Sequence, residues 1–382
     1  MKEENKVIFV ISDLIYRAPR LVKQIEALKD IGYTITVLCW DRDCKTSGSP
    51  KEAINNNCKE VRLRLKTTYD IKRFFLIPIW WSFIFFWLMT RRWNVVHVVN
   101  ADSILPAIVA GKIKNKPVIF DILDVEIDML SLPHRLRQIF IGIYKIFMRF
   151  ASAVIITNEA RIDEFGNIPN NNLVVIYNSP PDIYNRSNVN IQEDNIFNIF
   201  YAGVLTKRAT RKVHIDKLLS AIENINGVKV TIAGSGDLVE DIQEWIKRNP
   251  GKAELLGWIS VDEVLKRTLQ ADLLVCLYDS NVLNNKYAAG NKVFQAMMCG
   301  KPILVSKDTA VADIITKENC GLVVNPKNVK EIEAAIKRLK KDPQLCHQLG
   351  VNGRRAYEQK YSWEIMKQRL IALYLKIGKD TT

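Results

Sequence analysis

Residues 285–306 read NKYAAGNKVFQAMMCGKPILVS, and a fold and a chemistry can be built outward from them. Gly290-Asn291 supplies a turn, Lys292 a point charge, and residues 293–298 an apolar helical run that stops at Gly300. Lys301-Pro302 then separates that helix from a strand over 303–305. A helix that starts on a turn presents unsatisfied backbone N–H groups and the positive end of its dipole. A phosphate docked over Gly290, Asn291 and Lys292 would be held by dipole, hydrogen bonds and lysine together. The same letters also describe a helix that merely begins on a lysine ahead of a core strand.

The rest of the chain repeats this alternation. Residues 7–11 read as a strand, 21–28 as a helix closing near Gly32, and 34–40 as a second strand, which is a β-α-β unit. Residues 95–99, 118–122, 154–157 and 173–176 are continuous apolar runs, as strands buried on both faces are. The prediction is a parallel, doubly wound α/β domain over 1–178, with ligands at the carboxyl ends of its strands. Residues 179–198, rich in Pro, Asn and charge, read as a linker. A second α/β set fills 199–360: strands over 199–203, 228–233, 253–256 and 272–277, a helix over 216–224, and glycines Gly234 and Gly236 after a strand, where backbone approaches a ligand closely. Residues 361–382 form a closing helix.

Composition narrows the function. A chain of 382 residues suits two domains of about 180 residues each. Hydrophobic residues at 48% and charged ones at 25% exclude a disordered protein. Fifty-five Lys and Arg against 41 Asp and Glu give +14, a balance that favours an anionic partner. Sugar nucleotides and anionic lipid fit; no nucleic-acid signature accompanies the charge, so nucleic acid is not expected. Seven cysteines without a C-x-x-C pair and only four histidines argue against a metal, and no bound cofactor is expected. Free thiols suit a cytoplasmic protein, and the short apolar run at the start reads as a strand rather than a signal peptide.

Residues 73–92, RFFLIPIWWSFIFFWLMTRR, stand apart. The apolar run is short for a span and is followed at once by a core strand. Its basic flanks and tryptophans suit a helix lying in a membrane interface, and a helix buried against the sheet is the alternative. Residues 134–150 form a second basic, apolar helix fit for the same face.

The pattern Asn291-Lys292-x-x-Gln295-x-Met297-x-x-Gly300-x-Pro302 resembles the nucleotide-sugar motif of GT-B glycosyltransferases, the large retaining family four, or group 1. The resemblance runs along the whole chain and implies two Rossmann-like doubly wound domains facing a cleft, with the closing helix crossing back to the first. By that likeness Lys292 meets the donor diphosphate, and the residue three positions on, usually a glutamate bonded to the ribose, is here Gln295; Tyr287 stands where a second glutamate is common. The resemblance further implies donor contacts at Gly203, at Lys207, Arg208 and Lys212, at Gly234 and Gly236, at Trp258 in a base-contacting turn, and at Gly290 and Asn291. Arg17 and Arg20 in the first loop, and Asp121, are candidates for acceptor contact, the arginines equally readable as solvated loop charges. Asp124 is a candidate acceptor ligand or base, it and Asp121 being readable instead as a helix N-cap or a loop charge, and Asp124, Lys292 and Arg208 make the candidate catalytic set. The implied function is retaining transfer of a sugar from a nucleotide-sugar donor to a lipid-linked or surface-polysaccharide glycan acceptor. It would act in the cytoplasm, peripherally attached to the cytoplasmic membrane through 73–92, with no metal. A non-catalytic GT-B protein that binds nucleotide or glycan at the membrane is the rival. A dinucleotide oxidoreductase is expected less still, because neither first βα turn carries G-x-G-x-x-G.

Overall fold

β-Branched runs become parallel strands and amphipathic runs cover them in the computed structural model, which describes residues 5–44, 58–67, 72–129, 133–184, 196–207 and 212–379. The described residues fall into two units. The first takes those within Met1–Ile127, Leu132–Ile176 and Lys367–Thr382, the second those within Asp128–Ser131 and Tyr177–Met366.

In the first unit the strands are β1 (Lys6–Ile11), β2 (Thr34–Asp41), β3 (Cys58–Arg64), β4 (Val95–Val99), β5 (Val118–Ile122), β6 (Ala153–Ile156) and β7 (Leu173–Val175). Between them run α1 (Pro19–Lys29), α2 (Lys72–Thr90), α3 (Ile104–Lys114), α4 (His134–Phe150) and α5 (Ala160–Phe165). The sheet order is β3-β2-β1-β4-β5-β6-β7, every pair parallel. The doubly wound α/β expectation is met, with β4 and β5 buried along their whole length. One strand had not been expected: β3, CKEVRLR, alternates charged and apolar residues because it is an edge strand and only half-buried.

The apolar run over 73–92 forms α2. Trp80, Ile84 and Leu88, spaced i, i+4 and i+8, are fully buried in the core. The Trp80 indole donates to Ser103 Oγ at 2.9 Å and the Trp81 indole to the Asp102 carbonyl at 2.7 Å. These tryptophans, expected at an interface, therefore point inward, because an indole N–H taken out of water needs a partner and finds one in the sheet's loop. The opposite stripe, Phe75, Ile79 and Phe86, is exposed. Among the described residues no helix is long and apolar enough to cross a membrane.

The second unit holds β8 (Phe197–Ala202), β9 (Val228–Ala233), β10 (Ala253–Gly257), β11 (Leu273–Cys276), β12 (Ile303–Ser306) and β13 (Gly321–Val324), in the order β10-β9-β8-β11-β12-β13 and again parallel. Its helices are α6 (Ile215–Ile222), α7 (Val239–Arg248), α8 (Val261–Gln270), α9 (Leu283–Tyr287), α10 (Asn291–Met298), α11 (Ala310–Glu318), α12 (Val329–Lys341) and α13 (Pro343–Ala356). Side chains of Ser260, Thr309, Asn328 and Asp342 cap α8, α11, α12 and α13. The last helix, α14 (Trp363–Lys379), belongs to the first unit from Lys367 onward. There Tyr374 is fully buried and its hydroxyl lies 2.8 Å from His97 Nδ1 on β4.

In each sheet the strand order reverses once, between β1 and β4 in the first and between β8 and β11 in the second. Crevices outside the carboxyl ends of strands at such reversals are where open parallel sheets take ligands.

Candidate functional site

In the second unit the reversal point collects the loops that follow β8, β9, β10 and β11. The first three are laced by main-chain bonds: Gly203 N–H donates to Ala233 O at 2.9 Å, Leu205 N–H to Ser235 O at 3.0 Å, and Gly234 N–H to Gly257 O at 2.7 Å. The lacing explains the glycines. A Cβ on Gly234 would lie 1.8 Å from the Gly203 carbonyl oxygen, and one on Gly236 2.0 Å from that of Leu205. Their close backbone approach is thus to the neighbouring loop, which the sequence alone had assigned to a ligand.

Lys292 completes this floor. Gly290, extended at φ −64° and ψ 150°, is the N-cap of α10, and no side chain caps the helix. The first-turn N–H groups of α10 therefore face outward with the positive end of the dipole. The Lys292 side chain runs over Gly203, where a Cβ would sit 2.7 Å from its Nζ. Its ammonium donates to the Tyr278 hydroxyl at 2.8 Å and lies 5.3 and 5.4 Å from the ring centres of Tyr201 and Tyr278. Two tyrosines thus hold the lysine in place. Burial raises the Tyr201 hydroxyl above the ordinary phenol range, opposed by the Lys292 charge, so this partner stays protonated. Sequence reading missed both tyrosines, although each sits at a strand end bordering the reversal point.

The other donor candidates divide. Gln295 is buried one turn beyond Lys292 on α10, and Asn291 is exposed at the helix start. The Lys212 carbonyl accepts from Asp279 N–H at 3.1 Å and Asn285 Nδ2 at 3.3 Å, which fixes this segment beside the loop after β11. Lys207 is exposed and ion-paired to Asp241 at 3.1 Å. Trp258 projects from the turn after β10 with 79% of its surface exposed. Arg208 lies outside the described residues. Among those described, no group of three His, Cys, Asp or Glu is placed to hold a metal ion, and all seven cysteines are free thiols.

In the first unit the structure corrects the acceptor candidates. Arg20 and Asp121 are not accessible loop groups but partners in a buried network. Arg20 donates to Asp121 Oδ1 at 3.1 Å and to the Ile176 carbonyl at 2.7 Å, Gln24 donates to Asp121 at 2.9 Å, and His97 Nε2 lies 3.3 Å from the same carboxylate. Burial alone would raise the Asp121 pKa, but Arg20, His97 and Gln24 outweigh it and hold the carboxyl below its usual range. The network runs on through His97 to Tyr374, so it ties α1, β4, β5 and α14 together and serves packing. Arg17 is half-exposed and paired with Asp13 and Asp43. Asp124 keeps 38% of its side chain exposed past the end of β5, 3.8 Å from Arg161. At the reversal between β1 and β4, Ser12 donates to Asp102, and Arg42 bonds the Ser12 hydroxyl at 3.1 Å, a polar group that sequence reading overlooked.

Comparison with known proteins bears on both units. Residues 187–356 match the family model described as glycosyl transferases group 1. The chain is 26% identical over 197 residues to an uncharacterised glycosyltransferase of Methanocaldococcus jannaschii, covering 51% of each chain, and thus spans about half the length of that relative. It is 32% identical over 83 residues to the MMP alpha-(1->4)-mannosyltransferase of Mycolicibacterium hassiacum, 22% of this chain and 20% of that one. Among solved structures, a glycosyltransferase of Rickettsia africae superposes with a TM-score of 0.74 at 14% identity, covering 99% of this chain and 100% of that one. Anabaena HepE, solved with UDP-glucose, superposes with a TM-score of 0.69 at 15% identity, covering 97% and 99%. These likenesses establish the fold.

Proposed function

We propose that this chain, whose residues 187–356 match the family model described as glycosyl transferases group 1, is a retaining glycosyltransferase on the GT-B fold. It moves a sugar from a nucleotide-sugar donor to a lipid-linked or surface-polysaccharide glycan acceptor, and works in the cytoplasm at the membrane surface. One observation carries the reading most: Lys292, at the open N-terminus of α10, lies over Gly203 at the reversal between β8 and β11. When the bond between the anomeric carbon and the phosphate oxygen breaks, negative charge grows on the leaving diphosphate. A preorganised ammonium and aligned N–H groups lower that barrier, typically by about 2–4 kcal/mol for one such donor. Lys212 and Arg208 would share the charge, Gln295 would bond the ribose, and Trp258 would cover the base. Asp124 of the first unit would accept the proton or hydrogen bond of the attacking hydroxyl. The solved relative bound to UDP-glucose supports a uridine diphosphate sugar as the first donor to try.

The test is transfer itself. Purified protein is incubated with a panel of nucleotide sugars and a glycolipid extract, and nucleoside diphosphate release and anomeric configuration are followed by NMR. Release that depends on both substrates, with the anomeric configuration kept, is expected. Absence of release with every pair would overturn the proposal.

A further inference from the structure

We infer that the outer face of α3 and α4 docks on an anionic lipid bilayer. The two helices pack side by side with α2 over one side of the first sheet, and the buried stripe of each joins the same core. Tyr144 and Met148 of α4 face that core, whereas Leu136, Ile139, Phe140, Ile143, Ile146 and Phe150 of the same helix are exposed. Their spacing of three and four residues puts them along one helix face, so α4 carries two apolar stripes and the sheet covers only one. Val109 and Ile113 extend the exposed stripe across α3, and Lys112 Nζ of α3 lies 5.8 Å from the Phe150 ring centre of α4, which joins the two surfaces. Most of the large apolar side chains exposed among the described residues lie on α2, α3 and α4.

Charge selects the occupant. Residues 133–152 contain no Asp or Glu, and residues 75–118 contain one, Asp102, which is buried. Arg135 and Arg149 on α4, Lys112 and Lys116 at the end of α3, and Arg91 and Arg92 past α2 are all exposed around the apolar stripe. A second copy seated on this face by a two-fold axis would oppose like charges with no acid to pair them. A bilayer bearing anionic headgroups accepts both halves of the pattern: apolar side chains enter the acyl boundary, and the basic rim meets the phosphates. This moves the docking face from Trp80 and Trp81 of α2, whose indoles donate inward, to α4. It deepens the membrane part of the function proposed above and stands apart from the transfer chemistry.

Flotation with vesicles tests it, with donor and acceptor left out. Full-length protein should float with vesicles of equal phosphatidylcholine and phosphatidylglycerol, stay behind with phosphatidylcholine alone, and release as salt is raised. The pair Ile139→Asn and Ile146→Asn, at exposed positions, should reduce partition by at least about tenfold at an unchanged melting temperature, since exposed substitutions rarely disturb folding. The pair Lys112→Glu and Arg149→Glu gives an independent reading should the first pair misfold. Protein that stays unbound with anionic vesicles, or folded variants that float like the parent, would overturn the inference. So would a dimer that the isoleucine variants dissociate without any flotation of the parent, because a second copy then covers the face. A protein that floats but transfers no sugar counts against the transferase reading alone, and one that transfers but does not float counts against this face alone.

Discussion

Lys292→Ala should leave the protein folded while cutting transfer sharply, and the structure sets the scale of both losses. The ammonium makes one hydrogen bond to Tyr278 and two contacts with aromatic faces at 5.3 and 5.4 Å. A net hydrogen bond contributes about 1 kcal/mol and each partly exposed cation–π contact about 0.5–1 kcal/mol. Alanine's better helix propensity offsets a few tenths. The variant should therefore lose about 2–3 kcal/mol of stability, a drop of a few degrees in melting temperature that leaves it folded at assay temperature. Transfer is a different matter, because loss of a charge aimed at the leaving diphosphate raises the barrier by about 2–4 kcal/mol, or about 30- to 900-fold in kcat. Calorimetric melting and steady-state turnover on the same preparation separate the two effects. Turnover within about threefold of the parent, at a melting temperature only slightly lowered, would show that Lys292 does not face the leaving group.

Three further substitutions probe the surroundings. Gly203→Ala places a methyl 2.7 Å from Lys292 Nζ and 3.0 Å from the Tyr201 hydroxyl, so the flexible ammonium must shift. Stability should change by no more than about 1 kcal/mol while kcat falls about 10- to 100-fold, and an unchanged kcat would mean that the position of the ammonium does not matter. Asp121→Asn leaves Arg20 buried without its counter-charge and should destabilise the fold by about 3–5 kcal/mol in urea titration at neutral pH. Because the folded pKa of Asp121 is depressed, its stabilisation is complete above the unfolded value of about 3.9 and is lost as pH falls through the lower folded value; the variant should show a shallower loss of stability in that acid range. Trp80→Ser, in the core and not at a lipid surface, should cost about 3–5 kcal/mol in a thermal melt, and a melt like the parent's would contradict its burial.

The periodicity of the strands was open to reading because β1, β4 and β5 are buried on both faces and so contain little but Val, Ile and Phe. β3 was not, since an edge strand alternates charge with apolar residues as a loop or a helix can. Helix α2 shows a sharper limit. Its composition suits a bilayer interface and a protein core equally, and only the placement of Ser103 Oγ and the Asp102 carbonyl beside the two indoles shows which stripe is core, while Phe75, Ile79 and Phe86 stay exposed. In α4 the basic, apolar composition was visible in sequence, but which residues the sheet covers was not. At the candidate site the turn, lysine and helix over 290–298 were legible because they are contiguous. The tyrosines around Lys292 come from β8 and from the loop after β11, and no local pattern links residues 201, 278 and 292. The buried pairing of Arg20 with Asp121 spans 101 positions, so loop charge and core network read alike until the fold brings them together.

Isothermal calorimetry of nucleotide sugars against the parent and Gln295→Glu tests the donor assignment most directly. Gln295 lies buried one turn beyond Lys292, and its amide offers a ribose diol one acceptor oxygen and one donor NH2 where a carboxylate would accept from both hydroxyls. Such a group still pairs with two hydroxyls when one of them accepts. The parent is therefore expected to bind a nucleotide sugar, and Gln295→Glu to change the affinity by only about tenfold, near 1.4 kcal/mol. No binding to the parent together with clear binding to Gln295→Glu would mean that the donor site was lost by substitution, and a non-catalytic protein would then replace the transferase.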